Sequence, residues 1–354
     1  MRRDRTRTPE YGKGKRWRAV WTEAGKERKR SFTVKDAAQA HLTWIEHNQR
    51  SGTYVSQDRG WVFIRDLLPE WLAGQVHLKA STLQATRSDV GFSILPYWGG
   101  KILADIRRAD VQLWVAQMGK APTTVETIYG RFRTFLNWCV QEGRIVTSPA
   151  KGVKLPRHSQ RPHTYLKPAQ VTLLASSIRP HYSGFIWALA LTGLRFGELT
   201  ELRYGDIDRR RNRATISRAV AWVNGTAVVG TPKSNTSRDV PLTRKVLDVI
   251  GEGPAGDLIF TSPRGCRIRP SNFSGPMKAG IAAACKADKS FPPGMYTHDL
   301  RHTAASLAVS AGANVKALQR MLGHASATLT LDRYAGLFDD DLNDVADRMD
   351  GLFD

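Results

Sequence analysis

The sequence predicts a multidomain, mainly α chain with small β-sheets, and three observations carry that reading. At 354 residues the chain is long enough for two or three domains, each with its own core. Apolar residues recur at helical spacing over most of its length, while alternation is confined to short runs near the N-terminus and between residues 214 and 241. A basic, proline-containing stretch at 151–164 with few apolar side chains has the composition of a linker.

Taken in order, residues 1–13 are basic and turn-rich and are expected to be mobile. Trp17, Ala19 and Trp21 alternate with Arg16, Arg18 and Val20, which reads as a strand; Gly25 marks a turn, and Arg28 to Phe32 a second strand. Thr33 and Asp36 have capping-box spacing before a helix with Ala38, Leu42 and Ile45 on one face, ending near Asn48. Residues 1–58 are therefore expected to form a small β-sheet plus helix. From Trp61 to Val153 the pattern is helical. Phe63, Leu67 and Trp71, with Ile64, Leu68 and Leu72, repeat every four residues, and Pro69 should kink or interrupt their helix. A second helix is predicted from Ser81 to about Leu95, ending before Pro96; a third from Asp110 to Met118; a fourth from Pro122 to Glu142, stopping at Gly143. Short connections make 59–150 a compact helical bundle.

Beyond the linker, 165–337 reads as a mixed α+β domain. Helices are predicted around 168–178, 183–191 and 195–203, a β-meander from strands at 214–222, 226–231 and 237–241, and further helices from 271 onward. Lys233 falls in the Pro232–Thr236 turn. The segment 338–354 changes character: seven aspartates face a single Arg348, while Phe338, Leu342, Val345, Met349 and Leu352 form one apolar stripe. An acidic amphipathic helix of this kind should dock on protein, either its own domain or a neighbouring copy.

Composition narrows the partners. A formal net charge of +21, spread along most of the chain, points to polyanions, with nucleic acid first. Membrane association is disfavoured, because the longest apolar stretch, Gly184 to Leu194, is too short to span a bilayer and no signal-type segment opens the chain. Cys139, Cys266 and Cys285 are odd in number and widely spaced, which excludes a disulfide framework and fits a reducing, cytoplasmic setting.

The residues that bear chemistry stand in the second half. They are Thr192-Gly193-Leu194-Arg195-Phe196-Gly197-Glu198-Leu199, His298-Asp299-Leu300-Arg301-His302, Leu322-Gly323-His324, and Tyr334 after Asp332-Arg333. A phosphodiester is anionic, and in-line attack adds charge to its non-bridging oxygens, which planar arginine forks meet bidentately. Arg195 and Arg301 are the candidate clamp. His298 and His324 can donate hydrogen bonds and move protons near neutral pH. Tyr334 is the candidate nucleophile, and a lysine is a sensible proton donor to the leaving hydroxyl. Singly, each has a bland reading: Arg195 a surface or capping residue, His324 a helix-start residue, Tyr334 a core aromatic. His298 and His302, four apart, could ligate a metal, but the glutamate of H-E-x-x-H is missing and Arg301 between them would repel a cation. Their joint order and spacing favours the phosphodiester reading.

At these residues the chain resembles the tyrosine recombinase (phage integrase) family. Leu191 to Leu199 matches that family's T-G-x-R-x-x-E-L helix, His298 to His302 its H-x-x-R-H box, and Leu322 to Tyr334 its L-G-H-x-S box and terminal tyrosine. Lys233 to Leu242, reading K-x-x-x-S-R-x-V-P-L, resembles the hairpin that carries its lysine. The resemblance implies a catalytic set of Arg195, Lys233, His298, Arg301, His324 and Tyr334, supported by Glu198 and His302, with neither metal nor cofactor. It further implies an arm-type DNA-binding domain over 1–58, a core-binding helical domain over 59–150, a linker at 151–164, a catalytic domain over 165–337 and a tail helix at 338–354. Arg16, Arg18, Arg28, Lys29 and Arg30, with Lys151, Lys154, Arg157 and Arg161 of the linker, become candidate DNA contacts. The implied activity is site-specific recombination of double-stranded DNA attachment sites by a homotetramer at the nucleoid of a bacterial host. A host DNA-bending protein and a directionality factor are candidate partners. A type IB topoisomerase and a non-catalytic DNA-binding regulator are the alternatives.

Overall fold

The computed structural model describes residue 14 and residues 16–23, 26–50, 57–157, 161–233 and 236–334. The predicted tail helix at 338–354, the basic residues 1–13 and the Gly25 turn lie outside them. The chain divides into two compact units, residues 1–159 and 160–354.

In the first unit, β1 (Trp17–Glu23) pairs antiparallel with β2 (Lys26–Phe32), from Trp17 opposite Phe32 to Glu23 opposite Lys26. Helix α1 (Lys35–Arg50) packs on the pair, and Ala19 of β1 and Ala38 and Ile45 of α1 are buried. There follow α2 (Gln57–Gly60), α3 (Ile64–Ala73), α4 (Ala80–Asp89), α5 (Leu95–Trp98), α6 (Arg108–Gln117) and α7 (Pro122–Gln141). Neither Pro69, expected to kink or interrupt its helix, nor Pro96, expected to follow the end of the next, breaks off a helix. Pro69 lies inside α3 without ending it. Its missing N–H costs about 3 kcal/mol, whereas Ile64, Leu67, Leu68 and Trp71 are all buried, each worth roughly 1.5–3 kcal/mol. Pro96 does not end the second helix either: the helix runs on from α4 through a π-turn at Val90–Ile94 into α5, with the proline at an early position of α5. The core centres on Trp98, whose ring stacks on Phe132 at 4.8 Å. Val153 and Leu155, in the stretch read as linker, pack against this bundle.

The second unit is built around α9 (Pro180–Thr192), which follows α8 (Pro168–Ser177). Apolar on every side, α9 is buried at the centre, as such helices must be. Next come α10 (Phe196–Leu199), β3 (Ile207–Asp208), β4 (Arg213–Ile216), β5 (Ala219–Val223), β6 (Thr226–Gly230), β7 (Arg238–Pro241), α11 (Arg244–Ile250) and α12 (Pro270–Ala287). The chain then forms α13 (Asp299–Ser310), α14 (Val315–Leu322) and α15 (Ala327–Tyr334). The expected helix at 195–203 is only the four residues of α10. The β-meander is also corrected. The strand read as 214–222 breaks at Ser217-Arg218, where Arg218 turns to Asp206 with two contacts of 2.7 Å. Strand β4 then joins the sheet β3-β4-β7, while β5 and β6 form a separate hairpin. Besides the main core, Ala305, Val309, Leu318, Leu322 and Tyr334 make a smaller cluster beneath the C-terminal helices.

Candidate catalytic site

Three arginines converge on two helix ends and one carboxylate. Helix α9 stops at Gly193 and α14 at Gly323, both left-handed with φ +65°. A Cβ on Gly193 would meet Leu322 Cδ2 at 2.8 Å, so glycine is required there by both backbone and space. The terminal carbonyls, which lack partners within their helices and carry the negative end of the dipole, are turned to the arginines. Arg301, buried in the first turn of α13, donates to Gly193 O and Leu322 O at 2.6 Å each. Arg195 donates to Gly323 O at 3.4 Å and Arg238 Nε to Met321 O at 3.2 Å.

Glu198 lies buried between two of them. It accepts from Arg195 Nη1 at 2.9 Å, from Arg238 Nη1 and Nη2 at 3.1 and 2.7 Å, and from the Arg195 backbone N–H at 2.9 Å. Burial pushes its carboxyl up, but the hydrogen bonds and charge of Arg238, then of Arg195, outweigh that and hold it below the usual range. Burial lowers Arg301 to about 9, with Arg195 adding to the shift, so it stays protonated at neutral pH. Three guanidinium groups against one carboxylate leave a net charge of +2. A second carboxylate close by, Glu201, is buried between Arg203 and Arg267 at 3.0 and 2.6 Å.

The histidines and the tyrosine gather at the start of α13. His298 precedes the helix and is exposed. Its ring meets that of buried His302 edge-on at 5.1 Å. His302 Nδ1 lies 2.8 Å from Tyr334 Oη. Tyr334 is 1% exposed, packed in the smaller apolar cluster, so its hydroxyl is enclosed rather than presented to solvent. His324 lies parallel to the Tyr334 ring at 6.3 Å, its Nδ1 held by Thr330 Oγ1 at 3.0 Å. Lys233 is exposed at the end of the hairpin that β5 and β6 form, beside the undescribed residues 234 and 235. Among the described residues no group of three or more His, Cys, Asp or Glu side chains is placed to hold a metal ion.

The candidate DNA contacts divide. Arg16, Arg18, Lys29, Arg30, Lys151, Lys154 and Arg157 are exposed. Arg28 is half-buried and faces Glu23 at 3.5 Å. Arg161 is engaged with protein, donating to Gly294 O at 2.5 Å and lying 3.6 Å from Asp299. Two residues of the constellation were not singled out from the sequence. Arg238 stands in the R-x-V-P-L context, where only the lysine upstream drew a role. His163, which stacks on His302 at 3.9 Å, has no sequence signal at all.

The sequence profile of the phage integrase family matches residues 165–340. An integrase of Mycobacterium phage D29 is 29% identical over 284 residues, 76% of this chain and 74% of that protein. Among solved structures, the Tn1549 transposon integrase in complex with a circular intermediate DNA superposes with a TM-score of 0.70 at 21% identity, over 81% of this chain and 99% of that one. A lambda integrase tetramer bound to a Holliday junction gives 0.57 at 17% identity, over 87% and 93%.

Proposed function

Because the chain belongs to the phage integrase family of tyrosine recombinases, enzymes that break and rejoin DNA, we propose that it integrates or excises a phage or other mobile element by site-specific recombination. Strand exchange passes through 3′-phosphotyrosyl intermediates. The observation that carries this reading is the adjacency, at the first turn of one helix, of Arg301 on two helix-end carbonyls and His302 on the Tyr334 hydroxyl.

In this reading Arg195 and Arg301 hold the scissile phosphate. Their forks are oriented before the substrate arrives, so little reorganisation is needed when charge develops on the non-bridging oxygens. His298 and His324 add hydrogen bonds to those oxygens. Tyr334 Oη attacks phosphorus, His302 accepts the phenolic proton, and the bond to the 5′-oxygen breaks with protonation by Lys233. The phosphotyrosyl bond keeps the energy for religation by the partner strand. Since the hydroxyl is enclosed in the DNA-free chain, attack requires α15 to shift and bring Tyr334 to the phosphate.

The two DNA-grasping roles fall to the first unit: arm-type contacts from residues 1–58 and core-site contacts from 59–150. Residues 151–164 connect them to the catalytic residues of 165–337, and the acidic tail docks on a neighbouring copy in a tetramer. Lambda integrase, similar in fold, forms a tetramer on a Holliday junction. A host DNA-bending protein and a directionality factor are candidate partners of such an assembly. The test is covalent capture on a nicked duplex carrying the joined ends of the element. Wild-type protein should form a detergent-stable adduct and Tyr334→Phe none; an adduct with the variant refutes the assignment.

A further inference from the structure

We propose that His163 is a positioning residue for the nucleophile: its imidazole, stacked on that of His302, fixes the ring whose Nδ1 meets the Tyr334 hydroxyl. The inference rests on the reading of Tyr334 as the attacking group.

The rings of His163 and His302 lie 3.9 Å apart at 25°, closer than the other aromatic contacts of the second unit. Rotation about χ2 of a histidine is loosely defined, so a ring holds one plane only when neighbours impose it. Here one face of His302 is covered by His163, and the edge of His298 approaches at 5.1 Å. The remaining direction is set by the 2.8 Å contact of Nδ1 with Tyr334 Oη. A ring held in that plane engages the phenol before attack and is placed to take its proton as the shift of α15 carries the oxygen toward phosphorus.

The placement of His163 is itself fixed on both sides. Two residues before it, Arg161 donates to Gly294 O, lies 3.6 Å from Asp299 Oδ2 and sets its guanidinium 4.6 Å from the Tyr296 ring. Three residues after it, the Leu166 N–H donates to Thr303 Oγ1 at 3.1 Å, and Leu166 is buried. Asp299 and Thr303 bracket His302 on α13. The segment is thus stitched to the same turn of helix at two points, with the His163 ring laid between them. His163 is exposed, so shortening it opens no core cavity.

The experiment uses the full chain and three proteins: wild type, His163→Ala and His163→Phe. The ring-nitrogen resonances of His302, assigned with His302→Gln, are recorded without DNA on histidine-labelled protein. The rate of adduct formation is measured on the nicked duplex described above, alongside the affinity for that duplex. His163→Ala should move the His302 nitrogens toward the average of the two tautomers. It should slow adduct formation about three- to tenfold, the population weight an aromatic pair carries, with affinity unchanged. His163→Phe, which keeps a ring face, should restore both. A wild-type rate in His163→Ala overturns the proposal whatever the spectrum, as does failure of His163→Phe to recover either property. If the wild type itself forms no adduct, the nucleophile reading fails, and a His302 spectrum unmoved in His163→Ala then rejects the stacking role separately.

Discussion

Replacing Glu198 by glutamine tests whether the arginine cluster is held by a charge or merely by hydrogen bonds. The carboxylate accepts four hydrogen bonds from Arg195 and Arg238 and is 1% exposed at its side chain. Glutamine keeps one acceptor oxygen but presents an N–H₂ to guanidinium donors and raises the cluster from +2 to +3. Breaking a buried ion pair on one side costs about 3–5 kcal/mol, and the retained oxygen places this variant near 3. For a unit of this size each kcal/mol is worth about 2–4 °C, so Tm should fall by about 6–12 °C at pH 7. The sign of the pH dependence follows from the lowered folded-state value of Glu198. The unfolded chain takes up its proton first as pH falls, so the stabilisation is full above the ordinary glutamate value and lost as pH drops through the folded one. Thermal melts of both proteins from pH 7 downward should therefore converge in the acid range. A Glu198→Gln protein that melts within a degree of wild type at pH 7, or a gap that persists unchanged into acid, refutes the charge argument.

Arg301→Lys should lose adduct formation by about 10²–10³-fold with little loss of DNA affinity, since one ammonium cannot span Gly193 O and Leu322 O and still face a phosphate; single-turnover cleavage checks it. Tyr334→Phe should bind DNA normally in a gel shift and form no covalent adduct. Lys233→Ala should cleave slowly on a normal duplex but at near wild-type rate when sulfur replaces the leaving 5′-oxygen, because a thiolate departs without protonation; equal losses on both substrates would refute the acid role. Gly193→Ala should cost about 1–3 kcal/mol from its left-handed backbone, with more from the 2.8 Å approach to Leu322. It should slow cleavage too, because the displaced carbonyl is an anchor of Arg301; melting temperature and cleavage rate on one preparation test both.

Much of the fold was legible because it is written in local periodicity. Helix α7 carries Ile128, Phe132, Phe135, Leu136, Cys139 and Val140 at helical spacing, and all but the half-buried Val140 are buried. Where the reading failed, a partner distant in sequence decided. The strand at 214–222 breaks because Arg218 finds Asp206, and β4 then pairs with β7 across the β5–β6 hairpin. Proline misled for a related reason: its local cost is fixed, but four buried apolar side chains on α3 outweigh it.

The candidate site divides along the same line. Arg195, Arg301, His302 and Tyr334 stood out because each lies in a short distinctive context, and the structure brings them together around the ends of α9 and α14. What those contexts did not disclose is how the side chains are held. An arginine fork is useful to a phosphate only if it cannot fold back on its own chain, and here that restraint comes from main-chain carbonyls, which have no letter in a sequence. Arg238 reaches the cluster through Glu198, some forty residues away, and its neighbour Gly323 tolerates it only because a Cβ there would stand 2.7 Å from Nε. His163 is the extreme case, a residue of a basic connector whose role exists only because the chain crosses the first turn of α13. The residues proposed to hold the phosphate are thus the ones a short motif can specify. Those that aim them are specified by topology, so a substitution search confined to the motifs would miss both Arg238 and His163.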